Sequence, residues 1–74
     1  MIGGWVKIDG GGYCLTITNE TIQENSDSAI SYTINVDKIS YKNAIIKAKC
    51  NGSVLTLHPQ SASTIMDGDY LKTN

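Results

Sequence analysis

The stretch AIIKAKCNGSVLTLH, residues 44–58, decides the fold of this chain. It places Asn51-Gly52 between two segments that alternate apolar and polar residues. Asn-Gly supplies the positive φ angles that a two-residue type I′ turn needs. A turn there would set Ala48 opposite Leu55 and give the ribbon one apolar face and one mostly polar face. Turn and alternation agree, and together they predict a β-hairpin.

Short alternating segments continue on both sides of this hairpin. The clearest covers residues 30–36, and a reversal at Asn19-Glu20 would set Ile17 opposite Ile22. We predict strands at residues 5–9, 13–18, 30–36, 39–41, 44–50 and 53–58, and a last hairpin of 64–66 with 70–73 across Asp67-Gly68-Asp69. This pattern predicts an all-β fold, an antiparallel meander of about six to eight short strands. Its apolar face requires either a small barrel or a sheet packed in a dimer.

Composition narrows the class of protein. The 74 residues are expected to form one small β domain, residues 1–74, with a net charge of −1. All six basic residues are lysines, so bidentate recognition of phosphate or guanine is absent and nucleic acid is not expected as a partner. No apolar run approaches the roughly 20 residues of a membrane-spanning helix. The sequence leaves localisation open between an extracytoplasmic protein whose signal was removed and a cytoplasmic one.

The two cysteines alternate onto opposite faces of their strands. Cys14 shares a face with Thr16, whereas Cys50 is in phase with Ile46 and Ala48. This geometry disfavours a disulfide, unless a bulge shifts one strand. We therefore expect two free thiols, with Cys50 buried and Cys14 half exposed.

A family resemblance rests on two segments. Gly3-Gly4-Trp5 matches the Gly-x-Trp signature on the first strand of lipocalins and related calycin barrels, and residues 13–22 resemble the second hairpin of short bacterial lipocalin-like domains. The resemblance implies that the tryptophan closes the base of the barrel. It also implies that the interior holds a small apolar ligand.

Three aromatic residues are the candidate ligand- or partner-contact residues: Trp5, Tyr13 and Tyr32. Tyr13 and Tyr32 are in phase with core positions. Trp5 is in phase with Lys7 and Asp9, which places it outward as a barrel-end plug or a contact surface.

Energetics favour a filled interior. An empty pocket of about 300 Å³ would cost on the order of 7 kcal/mol at roughly 24 cal/mol per Å³. The total stability of a domain is only about 5–15 kcal/mol. A filled core, or a cavity between two protomers, is therefore the easier solution.

Catalytic and metal-binding signals are weak. The single histidine, His58, is expected on the outer face with no evident catalytic partner, and neither cysteine belongs to a paired metal-ligand spacing. Asp67-Gly68-Asp69 is too short for an EF-hand loop. We therefore predict no enzyme, no catalytic residue, no metal and no cofactor.

Two functions remain. The first is a bacterial or phage interaction module that contacts a protein partner, or a second copy of itself in a homodimer, through a strand edge or the Trp5 face. The alternative is a lipocalin-like extracytoplasmic domain that binds a small apolar ligand.

Overall fold

The computed structural model describes residues 1–73, which form eight antiparallel strands and no helix. Each strand pairs with the next along the chain, and the last pairs with the first, so the meander closes into a barrel. The strands are β1 (Gly3–Lys7), β2 (Cys14–Ile17), β3 (Thr21–Glu24), β4 (Ile30–Asn35), β5 (Lys38–Tyr41), β6 (Ala44–Asn51), β7 (Val54–Pro59) and β8 (Gly68–Lys72). The predicted all-β barrel is confirmed.

The barrel interior is filled by side chains, because alternate residues of every strand point inward. The buried apolar core consists of Trp5, Leu15, Ile17, Ile22, Ile39, Tyr41, Ile46, Leu55, Leu57, Ile65 and Tyr70. Full burial of one such side chain stabilises the fold by about 1.5–3 kcal/mol. We call the end with residues 1–2 and the β2–β3, β4–β5 and β6–β7 turns the terminal end, and the other the distal end.

The predicted β2–β3 register is confirmed, with Ile17 opposite Ile22. The reversal is held by Thr18, whose Oγ1 accepts hydrogen bonds from the amides of Glu20 at 3.1 Å and Thr21 at 2.9 Å. A hydroxyl that bonds the backbone two or three residues ahead stabilises a tight turn. The local sequence is compatible with a single turn between β2 and β3, and this is the turn that forms.

The predicted β6–β7 register is wrong by two residues. Ala48 lies opposite Leu57 rather than Leu55, and the two turn residues are Gly52 and Ser53. Gly52 has a φ of 64°, which suits the first central position of a type II′ turn. A shift by two residues leaves every side chain on its original face. The apolar pattern therefore fits both registers and does not choose between them.

The predicted last hairpin is also wrong, although its second strand, residues 70–73, overlaps β8. Residues 64–66 form no strand, and Gly68 and Asp69 are strand residues that lie opposite Leu57 and Thr56 of β7. Ile65 nevertheless stays in the core, with 3% of its surface exposed. The loop before β8 thus covers the distal end of the barrel. β8 itself pairs with β7 on one side and with β1 on the other.

The predicted phase of β1 is inverted. Trp5 points inward and is 1% exposed, while Val6 and Ile8 alternate onto the outer face. Both faces of this segment carry apolar residues, with Trp5 on one face and Val6 and Ile8 on the other, so either face could pack inside the barrel. The large indole, which has more apolar surface to bury, takes the interior.

Both cysteines are free thiols, as expected, and Cys14 is half-buried. The expected burial of Cys50 is wrong, because its side chain is exposed. Cys50 keeps the inward phase opposite Leu55. It lies two residues before Gly52, however, where the β6–β7 hairpin extends beyond the core at the terminal end.

Candidate functional site

Trp5 lies inside the barrel and reaches toward the terminal end. Its indole Nε1 donates a 2.8 Å hydrogen bond to the carbonyl of Met1, which also packs against the core. Lys72 of β8 places its Nζ 5.5 Å from the centre of the indole ring. Contacts with Lys72 of the sheet and with Met1 of the N-terminal segment thus fix the position of the indole. The indole does not contribute to the outer surface.

Tyr13 and Tyr32 lie at opposite ends of the barrel. The Tyr13 hydroxyl donates a 2.6 Å hydrogen bond to Glu24 at the distal end. The Tyr32 hydroxyl donates a 2.7 Å hydrogen bond to the carbonyl of Thr18 in the β2–β3 turn, at the terminal end. The structure therefore does not gather Trp5, Tyr13 and Tyr32 into one site, and their part in binding stays a prediction.

A buried carboxylate, Glu24, organises the distal end. The residue is 5% exposed and accepts four side-chain hydrogen bonds. These come from Tyr13 at 2.6 Å, Thr64 at 2.7 Å, Tyr41 at 2.8 Å and Lys42 at 3.3 Å. One side chain thus fastens the start of β2, the β5–β6 turn and the loop before β8.

The hydrogen bonds decide the charge state of this cluster. Burial by itself would raise the pKa of Glu24, but the bonds from Tyr13, Thr64 and Tyr41, with Lys42, outweigh it and lower the pKa. Burial and the bond to the carboxylate raise the pKa of both Tyr13 and Tyr41. The cluster is therefore a carboxylate surrounded by neutral phenols. The carboxylate oxygens of Glu24 accept hydrogen bonds from side chains of the protein itself. These bonds hold the segments of the distal end together.

The sequence does not predict a buried role for Glu24, because residues 24–28 are polar and their composition is typical of a loop. The available signal was the inward phase of Tyr13 and Tyr41, whose hydroxyl groups need a partner when they are buried. A charged residue at the end of a neighbouring strand meets that need.

His58 is exposed on the outer face, as predicted, and it has a partner that the sequence did not reveal. Its Nδ1 lies 2.7 Å from Oδ2 of Asp67 in the loop before β8. Both side chains are more than half exposed. The sulfurs contact other groups: Cys14 Sγ lies 3.9 Å from Oδ1 of Asn25, and Cys50 Sγ lies 3.7 Å from the carbonyl oxygen of Gly52. Across residues 1–73, no three side chains of His, Cys, Asp or Glu converge as metal ligands would.

An apolar row crosses the outer face of four neighbouring strands. Register places Cys14 beside Val6, Val6 beside Leu71, and Leu71 beside Val54. We call these four residues the outer apolar row. Leu71 at its centre is 44% exposed, and the other three are half-buried.

The outer apolar row differs from the opposite flank of the barrel, where threonine and serine alternate outward. Thr21 lies beside Ser31, and Thr33 lies beside Ser40. The sequence does not predict this row, because an outward Trp5 on β1 would turn Val6 inward. The strand phase of Trp5 was the signal that would have revealed it.

Comparisons of the chain with protein-family models, with curated proteins and with solved structures give no match. Among the described residues there is no helix with the length and apolar character needed to cross a bilayer.

Proposed function

We propose that this protein is a non-enzymatic β-barrel interaction module that binds a protein partner through the outer apolar row. The observation that carries the proposal is the position of Leu71, an exposed side chain flanked on both neighbouring strands by Val6 and Val54. Removing apolar surface from water on binding stabilises a complex by roughly 25 cal/mol of free energy per Å². Adjoining apolar side chains that remain partly exposed on a surface are candidates for an interaction site.

The closed sheet supports a side-chain contact rather than strand addition. A partner that adds a strand needs a row of unpaired backbone groups at a sheet edge. In this barrel β1 pairs with both β2 and β8, so the strand-edge contact predicted from the sequence has no free edge at the first or last strand. The outer face of these strands remains available.

A site-specific photo-crosslinker tests the proposal. Benzoylphenylalanine at position 71 is expected to give a covalent adduct with a protein in the expressing bacterial cell, and mass spectrometry identifies it as a second copy or another protein. The matched control is position 45, because Ile45 is 40% exposed on the outer face of β6, away from the row. Val6→Lys should abolish the adduct. Equal adducts at positions 71 and 45, or none at 71, would overturn the proposal.

The alternative function is a lipocalin-like domain that binds a small apolar ligand. An eight-stranded closed meander with an inward tryptophan on β1 supports it. The side chains that fill the interior favour the contact module instead. Native mass spectrometry separates the two, since a small molecule that co-purifies in stoichiometric amount would favour the alternative.

A further inference from the structure

Three of the six lysines form a second row on the outer face, on β5 and β6. Lys38 lies directly opposite Lys47, and Lys49 follows two residues later on the same face. We call these three residues the lysine row. All three are exposed, and Lys47 also lies opposite His58 of β7.

The lysine row has no hydrogen-bond or ion-pair partner among residues 1–73. The other three lysines, Lys7, Lys42 and Lys72, each donate a hydrogen bond to another residue of the chain. Within the described part of the chain, the side chains of the lysine row make no hydrogen bond or ion pair. Like charges directly opposite each other destabilise a sheet. An anion from outside would relieve this repulsion.

The two rows adjoin across β7. Lys49 lies opposite Thr56, and Thr56 is two residues from Val54 on the same outer face. One ligand can therefore cover apolar side chains at Val54 and reach the ammonium group of Lys49. This continuity links the lysine row to the surface that carries the proposed function.

We propose that the lysine row binds an acidic segment of the protein partner whose apolar residues cover the outer apolar row. The inference rests on the proposed function and names the chemistry of the partner. Carboxylates of such a segment would pair with Lys38, Lys47 and Lys49. Charge complementarity of this kind speeds association and sets the orientation of the partner.

The surrounding carboxylates favour a polypeptide over a uniformly anionic surface. Asp67 lies against His58, and Asp69 accepts a 2.7 Å hydrogen bond from Thr56, so negative charge borders the lysine row on the β8 side. A nucleic acid or an anionic membrane would meet these carboxylates with phosphates. A polypeptide can place acidic residues on the lysines and apolar residues beside them.

Fluorescence anisotropy with a labelled decaglutamate peptide tests the lysine row. We expect binding to the intact protein that weakens as salt is raised, and at least fivefold weaker binding by the double variant Lys38→Gln/Lys47→Gln. The matched control, Lys7→Gln/Lys72→Gln, removes the same charge and should change binding less than twofold. Equal losses in the two variants, or no binding by the intact protein, would overturn the inference.

Two further arms separate the other anions. Tighter binding to vesicles that contain phosphatidylglycerol, or to a thymidine oligonucleotide, than to decaglutamate would overturn the assignment to an acidic polypeptide. Decaglutamate binding depends on the lysine row alone, whereas the adduct at position 71 depends on the outer apolar row. Failure of one proposal is therefore distinguishable from failure of the other.

Discussion

A single residue, Glu24, shows how a barrel of this size keeps a charge in its interior. An unpaired buried carboxylate would shift its pKa upward and become neutral. Glu24 remains ionised because hydroxyl groups from separate segments converge on it. The same bonds bring together residues as far apart in sequence as Tyr13, Tyr41 and Thr64.

Replacing this carboxylate gives the first stability prediction. Glu24→Gln should lower the free energy of unfolding at pH 7 by about 1–3 kcal/mol, because charge-assisted hydrogen bonds are lost and a buried polar group is left poorly satisfied. Urea unfolding followed by circular dichroism measures the change. Glu20→Gln is the matched control, since Glu20 is exposed, and it should change stability by less than about 0.5 kcal/mol.

The pH dependence of stability follows from the direction of the pKa shift. The pKa of Glu24 in the folded protein lies below its ordinary value of 4.5. Its contribution to stability is therefore complete above the unfolded-state pKa and is lost as the pH falls through the folded-state pKa. The stability difference between the protein and Glu24→Gln should narrow as the pH is lowered below 4.5. A difference that stays constant down to pH 2 would contradict this role.

At the scale of elements, the β6–β7 hairpin makes the turn assignment testable. Asn51 is a strand residue opposite Val54, so Asn51→Thr should change the free energy of unfolding by less than about 0.5 kcal/mol. Gly52→Ala should cost about 1–2 kcal/mol, because a φ of 64° is unfavourable for a residue with a Cβ atom. Thermal and urea unfolding of both variants provide the measurement. A large loss for Asn51→Thr would indicate the Asn-Gly turn that the sequence suggested.

The sequence predicts elements well where only one local solution exists. The alternation of residues 30–36 defines β4 to within one residue, and the Thr18 turn defines the β2–β3 register. It fails where two solutions share one pattern. The stretch Asn51-Gly52-Ser53 contains both an Asn-Gly and a Gly-Ser turn signal, and β1 is apolar in either phase. Because the phase predicted for β1 was inverted, the sequence did not predict the outer apolar row.

At the scale of the whole molecule, closure is the property that the sequence predicts only in outline. The need to bury one face of every strand predicts a barrel, but it does not identify which strands meet last. The closing contact is the β1–β8 ladder, in which Val6 lies opposite Leu71. The candidate surface spans this ladder, so it exists only in the closed barrel.

The ladders differ in length, which predicts unequal protection of backbone amides. β3 and β4 share two pairs, Thr21 with Ser31 and Ile22 with Ile30, whereas β6 and β7 share six. Local opening requires the least free energy where a ladder is short. Native-state hydrogen exchange should therefore be faster for the β3–β4 amides than for the β6–β7 amides. If β1 and β8 exchanged fastest, the barrel would be opening at its closing ladder instead.

The pairing of Trp5 with Lys72 has a consequence for synthesis of the chain. A growing polypeptide that has reached residue 66 has all the strands up to β7, yet its sheet still has two open edges. Contacts this distant in sequence form slowly, because a long loop must be closed before they stabilise anything. Folding of this barrel is thus completed only after β8 has left the ribosome. Until then the edges of β1 and β7 are unpaired, and unpaired strand edges favour aggregation.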